Sequence, residues 1–204
     1  MTLTLLLIRH GETDWNAQGR WQGQRDVPLN ETGRTQARRL AQRLPGFWAG
    51  VGLSEPPRRL WTSDLSRAHE TARLLDLDLP LTVEPRLRER SFGSWEGKTN
   101  AEVGHAPGSG ERAPDAELAE LVWERVLAAL ETIWETQEPV SLIVGHGGSL
   151  RAVLAHTAGL PVEGMARFQL ANTALSVVRF TGPTWKEAQG RLVSVNDTAH
   201  LEEV

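Results

Sequence analysis

Two histidines in this 204-residue chain share one local setting: His10 in LLLIRHGETDWN and His146 in PVSLIVGHGG each close an apolar run and precede a glycine. A neutral imidazole with one ring nitrogen held by a hydrogen bond can attack phosphorus with the other, splitting one difficult hydrolysis into two displacements. Arginines accompany them. Arg9 precedes His10, and Arg67 falls in the first turn of a predicted helix, where free backbone N–H groups and the helix dipole favour an anion. A phosphate monoester spreads charge over three oxygens in its transition state, so its catalysis is mostly positioning and positive charge. The leaving oxygen also needs a proton. Glu12, Glu89 and Glu96, all in predicted loops, are the candidate carboxyl groups. Residue type and spacing leave open which histidine attacks and which glutamate donates.

The elements that must position these groups are legible as pattern. Leu3 to Ile8 is a short unbroken apolar run, as expected of a strand covered on both faces. A polar loop from Glu12 to Leu29 carries Gly19, Gly23 and Pro28. A helix is expected from Glu31 to Leu44, capped by Asn30 and ended by Pro45-Gly46. Arg59–Thr62 reads as a strand, followed by a helix to Leu75 with Ser63 and Asp64 as caps and Leu65, Ala68, Ala72 and Leu75 inward. Pro80 to Val83 reads as a strand, Glu84 to Asn100 as a loop, and the Gly- and Pro-rich stretch Gly104 to Pro114 as a surface loop near the site. A long helix is expected over Asp115 to Gln137, with Leu118, Leu121, Val122, Val126, Ala129, Leu130 and Ile133 inward. The strand ending at Val144 then leads to a helix over Ser149–Thr157, and Ala174–Phe180 and Arg191–Asn196 alternate as strands near a sheet edge.

This order predicts an α/β fold in one domain over residues 1–204: a three-layer α/β/α sandwich on a largely parallel sheet. Parallel strands place their C-terminal ends on one edge, so His10, Ser63 with Arg67, and His146 are expected to converge there.

Composition narrows the function classes. The formal net charge of −4 argues against a general nucleic-acid or membrane-surface binder. Lys98 and Lys186 are the only lysines, so the basic residues are overwhelmingly arginines, which pair bidentately with phosphate or carboxylate. The absence of cysteine removes disulfides, thiolate catalysis and cysteine-ligated metal together. With no run of membrane-spanning length and no signal-peptide pattern at the start, the expected location is the cytoplasm.

Four segments, RHGETDWN, TSDLSRAHETA at Thr62–Ala72, LRERSFGSWEG at Leu87–Gly97 and VGHGG at Val144–Gly148, resemble in order the motifs of the histidine phosphatase superfamily. The resemblance runs from about Leu3 to Leu154. It implies a phosphoglycerate mutase-like fold in which His10 is the nucleophile that becomes phosphohistidine, Arg9, Arg67 and His146 hold the phosphate with it, and Glu89 donates the proton. It further implies that Asn16, Gln22, Gly23 and Gly147 bind substrate, and that neither a metal nor any other cofactor is needed. His69, His156 and His200 are read as structural or surface residues, His105 as a candidate pocket residue, and Trp15, Trp21 and Trp95 as flanking the motif loops.

Within that family, the mutase branch is recognised by ERxYGxLxGxNK and by a following insertion that brings an arginine pair to the substrate carboxylate. Here Phe92 replaces the tyrosine, Asn100 stands at the lysine position, no paired arginines follow, and the path from Glu89 to His146 is short. RHGETxWN and QGxxDxPL, here Gln22-Gly23 through Pro28-Leu29, resemble instead the phosphatase branch, which includes alpha-ribazole phosphatase and broad-specificity phosphatases. The expectation is a metal-independent phosphomonoesterase acting on a small molecule, with homodimer formation open. A mutase-type phosphoryl transfer and a phosphate-binding module without turnover are the alternatives.

Overall fold

The computed structural model describes residues 1–53, 55–104 and 111–202. The first apolar run forms β1 (Thr2–Arg9), and a short α1 (Asp14–Ala17) and the long α2 (Glu31–Gly50) follow. Next come β2 (Arg59–Thr62), α3 (Ser66–Leu74), β3 (Leu81–Val83), α4 (Asn100–Val103), α5 (Ala119–Glu135), β4 (Val140–Gly145) and α6 (Gly147–Thr157). The chain ends in β5 (Leu175–Thr181) and β6 (Gln189–Asp197).

The six strands make one sheet in the order β3-β2-β4-β1-β5-β6. β3, β2, β4 and β1 run parallel, while β5 pairs antiparallel with β1 and β6 antiparallel with β5. The largely parallel sheet is therefore as expected. Only β6 of the last two strands lies at an edge, because β5 is enclosed between β1 and β6.

Strand geometry divides the core in two, since successive side chains point to opposite faces. Leu3, Leu5 and Leu7 of β1 pack with Ile143, Val178 and the inner stripes of α5 and α6. Leu6 and Ile8 pack on the other face with Leu142, Val144, Leu40, Leu44 and the small face of α3 at Ala68 and Ala72. Helices thus cover both faces, and the runs Leu5–Ile8 of β1 and Leu142–Val144 of β4 are apolar and buried because neither face meets water.

The boundaries of α2, α3 and α5 differ from expectation, each because of contacts made elsewhere in the fold. α2 continues through Pro45 to Gly50. Proline costs one intrahelical hydrogen bond, but Leu44 and Phe47 on either side of it are buried in the second core, and that burial carries the helix past the break. α3 begins at Ser66 without a side-chain cap from Ser63 or Asp64. The Ser63 Oγ accepts the Leu65 N–H at 3.2 Å, the Asp64 carboxylate is taken by the Arg88 guanidinium, and Asp26 from a distant loop accepts the Ser66 N–H at 2.8 Å. α5 starts at Ala119, and Leu118 and Leu121 are exposed; the buried stripe is Val122, Val126, Ala129, Leu130 and Ile133. Asp115 instead accepts from the Ser94 N–H and hydroxyl.

Candidate active site

At the C-terminal end of β1 the backbone of His10 continues the sheet, its N–H bonding the Gly145 carbonyl of β4 at 2.9 Å. The His10 Nδ1 lies 2.7 Å from the carbonyl oxygen of Gly11, which can only accept, so Nδ1 carries the proton and Nε2 keeps a free lone pair. Gly11 is required by a close backbone approach: a Cβ there would stand 2.5 Å from the Gly33 carbonyl oxygen, and one on Gly33 would stand 2.1 Å from that of Glu12. Thr71 locks the same turn, accepting the Gly11 N–H at 3.0 Å while donating to the Arg67 carbonyl at 2.6 Å.

Arg67 is fully buried in the first turn of α3. Its two terminal nitrogens donate to the carbonyls of Arg25 and Gly23, both at 2.7 Å, which leaves Nε without a partner. Gly23 presents that carbonyl from a left-handed turn (φ +55°), where a Cβ would stand 2.0 Å from Glu96 Oε1. Glu96 is thereby a structural carboxylate: it accepts the Gln24 and Phe92 N–H groups and faces Arg25 at 3.4 Å. Arg9 donates to the Leu170 carbonyl at 2.6 Å, and its Nε is likewise buried and unpartnered.

His146 occupies the N-cap position of α6, so this helix starts two residues earlier than expected and aims its N-terminus at the site. The His146 ring lies 5.1 Å from that of His10, centroid to centroid, and both its nitrogens are buried without a hydrogen-bond partner. Glu89 meets the first turn of the helix. Its Oε1 accepts the Gly148 N–H at 2.9 Å and the Arg90 N–H at 2.7 Å. Glu12, by contrast, accepts from Asn30 Nδ2 at 2.9 Å, away from the cavity. Of the three glutamates weighed from sequence, Glu89 alone lines the cavity that holds His10.

That cavity has a volume of about 510 Å³ and includes Arg9, His10, Asn16, Gln22, Gly23, Arg67, Glu89 and Gly147 in its wall. Asn16 Oδ1 already accepts from Thr13 and from Asn172 Nδ2, and Gln22 Oε1 accepts from the Thr13 hydroxyl at 3.0 Å. Their amide nitrogens therefore remain as donors. His146 is not part of that wall; its ring neighbours that of His10. Ser63, expected at the same edge, is buried and engaged with Leu65, outside the cavity wall.

Electrostatics follow from burial and like charge. Burial, then Arg67 and Arg9, hold His10 well below its ordinary 6.5, so the imidazole is neutral at pH 7. His146 is lowered in the same way, by burial first and then by Arg67. Arg9 is pulled down to about 10, chiefly by burial. Buried N–H groups without acceptors and guanidinium groups crowded together are costly. An anion between them would relieve both costs.

Residues that sequence reasoning missed complete the setting. Arg125 of α5 donates to the carbonyls of Arg86, Arg88 and Glu89, at 2.6, 2.8 and 3.0 Å, and so fixes the segment that carries Glu89. Asn172 Nδ2 donates to the His10 carbonyl at 2.9 Å. Behind it, His200 is buried with Nε2 2.9 Å from the Thr173 hydroxyl, while the Thr173 N–H bonds the Arg9 carbonyl at 3.0 Å. Farther out, Arg20, Trp21, Arg90, Phe92 and Arg151 line the cavity, with Trp21 edge-on to Phe92 at 4.6 Å. Trp15 instead covers Gly97, and His156 packs among Trp123, Phe180 and Trp185. Arg151 had a signal, since it stands at i+4 from Gly147 once α6 is started there. Asn172 and Arg125 had none. His105, read as a pocket candidate, lies outside the described residues.

This fold and site define the class: the chain belongs to the histidine phosphatase superfamily (branch 1), whose family model matches residues 5–198. Over 213 aligned residues it is 33% identical to a Yersinia pestis protein named probable phosphoglycerate mutase, covering 98% of this chain and 95% of that one. Among solved structures it resembles a mycobacterial glucosyl-3-phosphoglycerate phosphatase (TM-score 0.82, 28% identity, 96% of this chain and 99% of that one). It also resembles phosphoserine phosphatase from Entamoeba histolytica, solved with 3-phosphoglyceric acid (TM-score 0.80, 26% identity, 98% and 100%). No helix among the described residues is long and apolar enough to cross a membrane.

Proposed function

We propose that this protein is a phosphatase that hydrolyses a small-molecule phosphomonoester through a phosphohistidine on His10, with Glu89 as proton donor and without a metal. One observation carries the reading. The buried unpartnered nitrogens of Arg9, Arg67 and His146 are grouped about an imidazole whose Nδ1 is tied to a carbonyl, and the Glu89 carboxyl group, held by the first turn of α6, lines the cavity of that imidazole.

In the first step the Nε2 lone pair of His10 forms the N–P bond, the P–O bond to the alcohol breaks, and Glu89 gives its proton to the departing oxygen. Arg9, Arg67 and the amide nitrogens of Asn16 and Gln22 hold the three equatorial oxygens, together with the first N–H groups of α6 at Gly147. Water then attacks phosphorus, its proton passes to the Glu89 carboxylate, and the N–P electron pair returns to the ring as inorganic phosphate leaves. Positive charge comes from arginine throughout, so hydrolysis of p-nitrophenyl phosphate is expected to persist in EDTA and to vanish in His10→Ala. Activity abolished by EDTA would refute metal independence.

A second reading, phosphoryl transfer between positions of a small phosphorylated acid, is supported by the name of the Yersinia relative. It predicts isomerisation of 3-phosphoglycerate that depends on a bisphosphate primer. Robust hydrolysis with no isomerisation would remove it.

A further inference from the structure

Beyond Glu89 the wall of α6 presents one more charge to the cavity. Arg151 follows Gly147 by four residues, on the same helical face, and helical side chains tilt toward the N-terminus of their helix, here toward the site. Its Nε is buried and has no hydrogen-bond partner. Two carboxylates, Glu111 and Glu163, also line the cavity, but Glu163 is exposed and forms no ion pair with Arg151.

The transferring phosphate already has Arg9, Arg67 and the two histidines around it. The proton from Glu89 must reach the leaving oxygen, so the leaving group lies on the Glu89 side. The Gly148 N–H that holds Glu89 precedes Arg151 by three residues, within one turn. An unpaired guanidinium in the wall on that side is an acceptor site for an anion and a poor neighbour for a cation or a bare hydrocarbon.

We propose that Arg151 reads the leaving group, binding a second anionic group, a carboxylate or a second phosphate, on the alcohol part of the phosphomonoester. The proposal rests on the phosphatase reading above and adds its substrate class: small doubly anionic phosphate esters. Arg90, next to Glu89 in the same cavity wall, stands ready as the flanking cation.

The test compares kcat/KM for four esters in the full chain: 3-phosphoglycerate, propane-1,3-diol bisphosphate, propane-1,3-diol monophosphate and phosphoethanolamine. The wild-type protein is expected to prefer at least one of the first two over the last two by roughly 10- to 100-fold, the range of one charge-assisted contact. Whether 3-phosphoglycerate or the bisphosphate leads identifies the second anion. Arg151→Met is expected to collapse that ratio, and Arg151→Glu to invert it toward phosphoethanolamine, an inversion that misfolding cannot produce. An unaltered ratio in Arg151→Met, or a parallel fall for all four esters in both variants, overturns the proposal. A wild-type protein that turns over none of the four and forms no phosphoenzyme refutes the phosphatase reading itself, and the role of Arg151 falls with it.

Discussion

The two ends of the cavity are built in opposite ways. At the inner end, His10, Arg67 and His146 are fully enclosed, and each comes from a residue at or just past the end of a β-strand or in the first turn of a helix. Their polar atoms are either tied to backbone carbonyls or left without partners. At the outer end, Arg20, Trp21, Arg90, Phe92 and Arg151 come from three separate stretches of chain and are only partly buried. On the proposed function, the inner end is the receptor for the phosphate. The outer end is drawn from two loop stretches and from α6, and on the proposed function it is where the substrate would be selected. If the proposed function holds, chemistry and specificity are separable, and substitutions should sort by end.

The largest effect is expected at the inner end. His10→Ala should lower kcat by on the order of 10⁵- to 10⁶-fold, as loss of a covalent nucleophile does; steady-state hydrolysis of p-nitrophenyl phosphate measures it. Glu89→Gln should cost roughly 10²- to 10⁴-fold on an alkyl phosphate. It should cost far less on p-nitrophenyl phosphate, whose leaving oxygen needs no proton, and equal losses on the two would remove Glu89 as the donor. Arg67→Met should cost roughly 10²- to 10³-fold for either ester, the loss of one charged donor to the transferring group.

Smaller effects concern the frame. Gly33→Ala puts a Cβ 2.1 Å from the Glu12 carbonyl oxygen, so the turn behind His10 must shift; a loss of about 1–3 kcal/mol in stability, read by urea unfolding, is expected. The smallest is a pH effect. Burial lowers His200 from its ordinary 6.5 to about 4. Between those values the unfolded chain binds a proton that the folded chain does not, so the contribution of His200 to stability is complete above 6.5 and is lost as the pH falls toward 4. His200→Gln should therefore show a shallower decline of melting temperature between pH 6.5 and 5 than the wild type. An equal or steeper decline would show that His200 is not held neutral by its surroundings.

The same contrast explains what the sequence made legible. The inner end is written in short local patterns: an apolar run closed by Arg9-His10-Gly11, a repeat of that theme at Gly145-His146-Gly147, and an arginine in the first turn of α3. Strand polarity then brings them together, because parallel strands share a C-terminal edge. Local pattern could not choose among Glu12, Glu89 and Glu96. That choice depends on a contact between the segment at Glu89 and the N-terminus of α6, 59 residues away, and on Arg125 fixing that segment. Pro45 misled the reading of α2 because a local rule was outweighed by burial of Phe47. Leu118 precedes the first turn of α5 and Leu121 is exposed on it, so the buried stripe begins only at Val122. In a helix begun at Ser149, Arg151 has no fixed relation to Gly147; in α6 as it stands, the two share a face. The outer end has no period or motif to betray it, since its members meet only through tertiary structure.

The central claim is that His10 carries the phosphoryl group. A rapid quench of the protein with ³²P-labelled monoester, followed by tryptic mapping, tests it most directly. An acid-labile, base-stable label on the peptide containing His10, formed and lost at rates consistent with turnover and absent in His10→Ala, is the predicted result. Turnover with no labelled peptide in the quench, or a label on the His146 peptide that persists in His10→Ala, would contradict it.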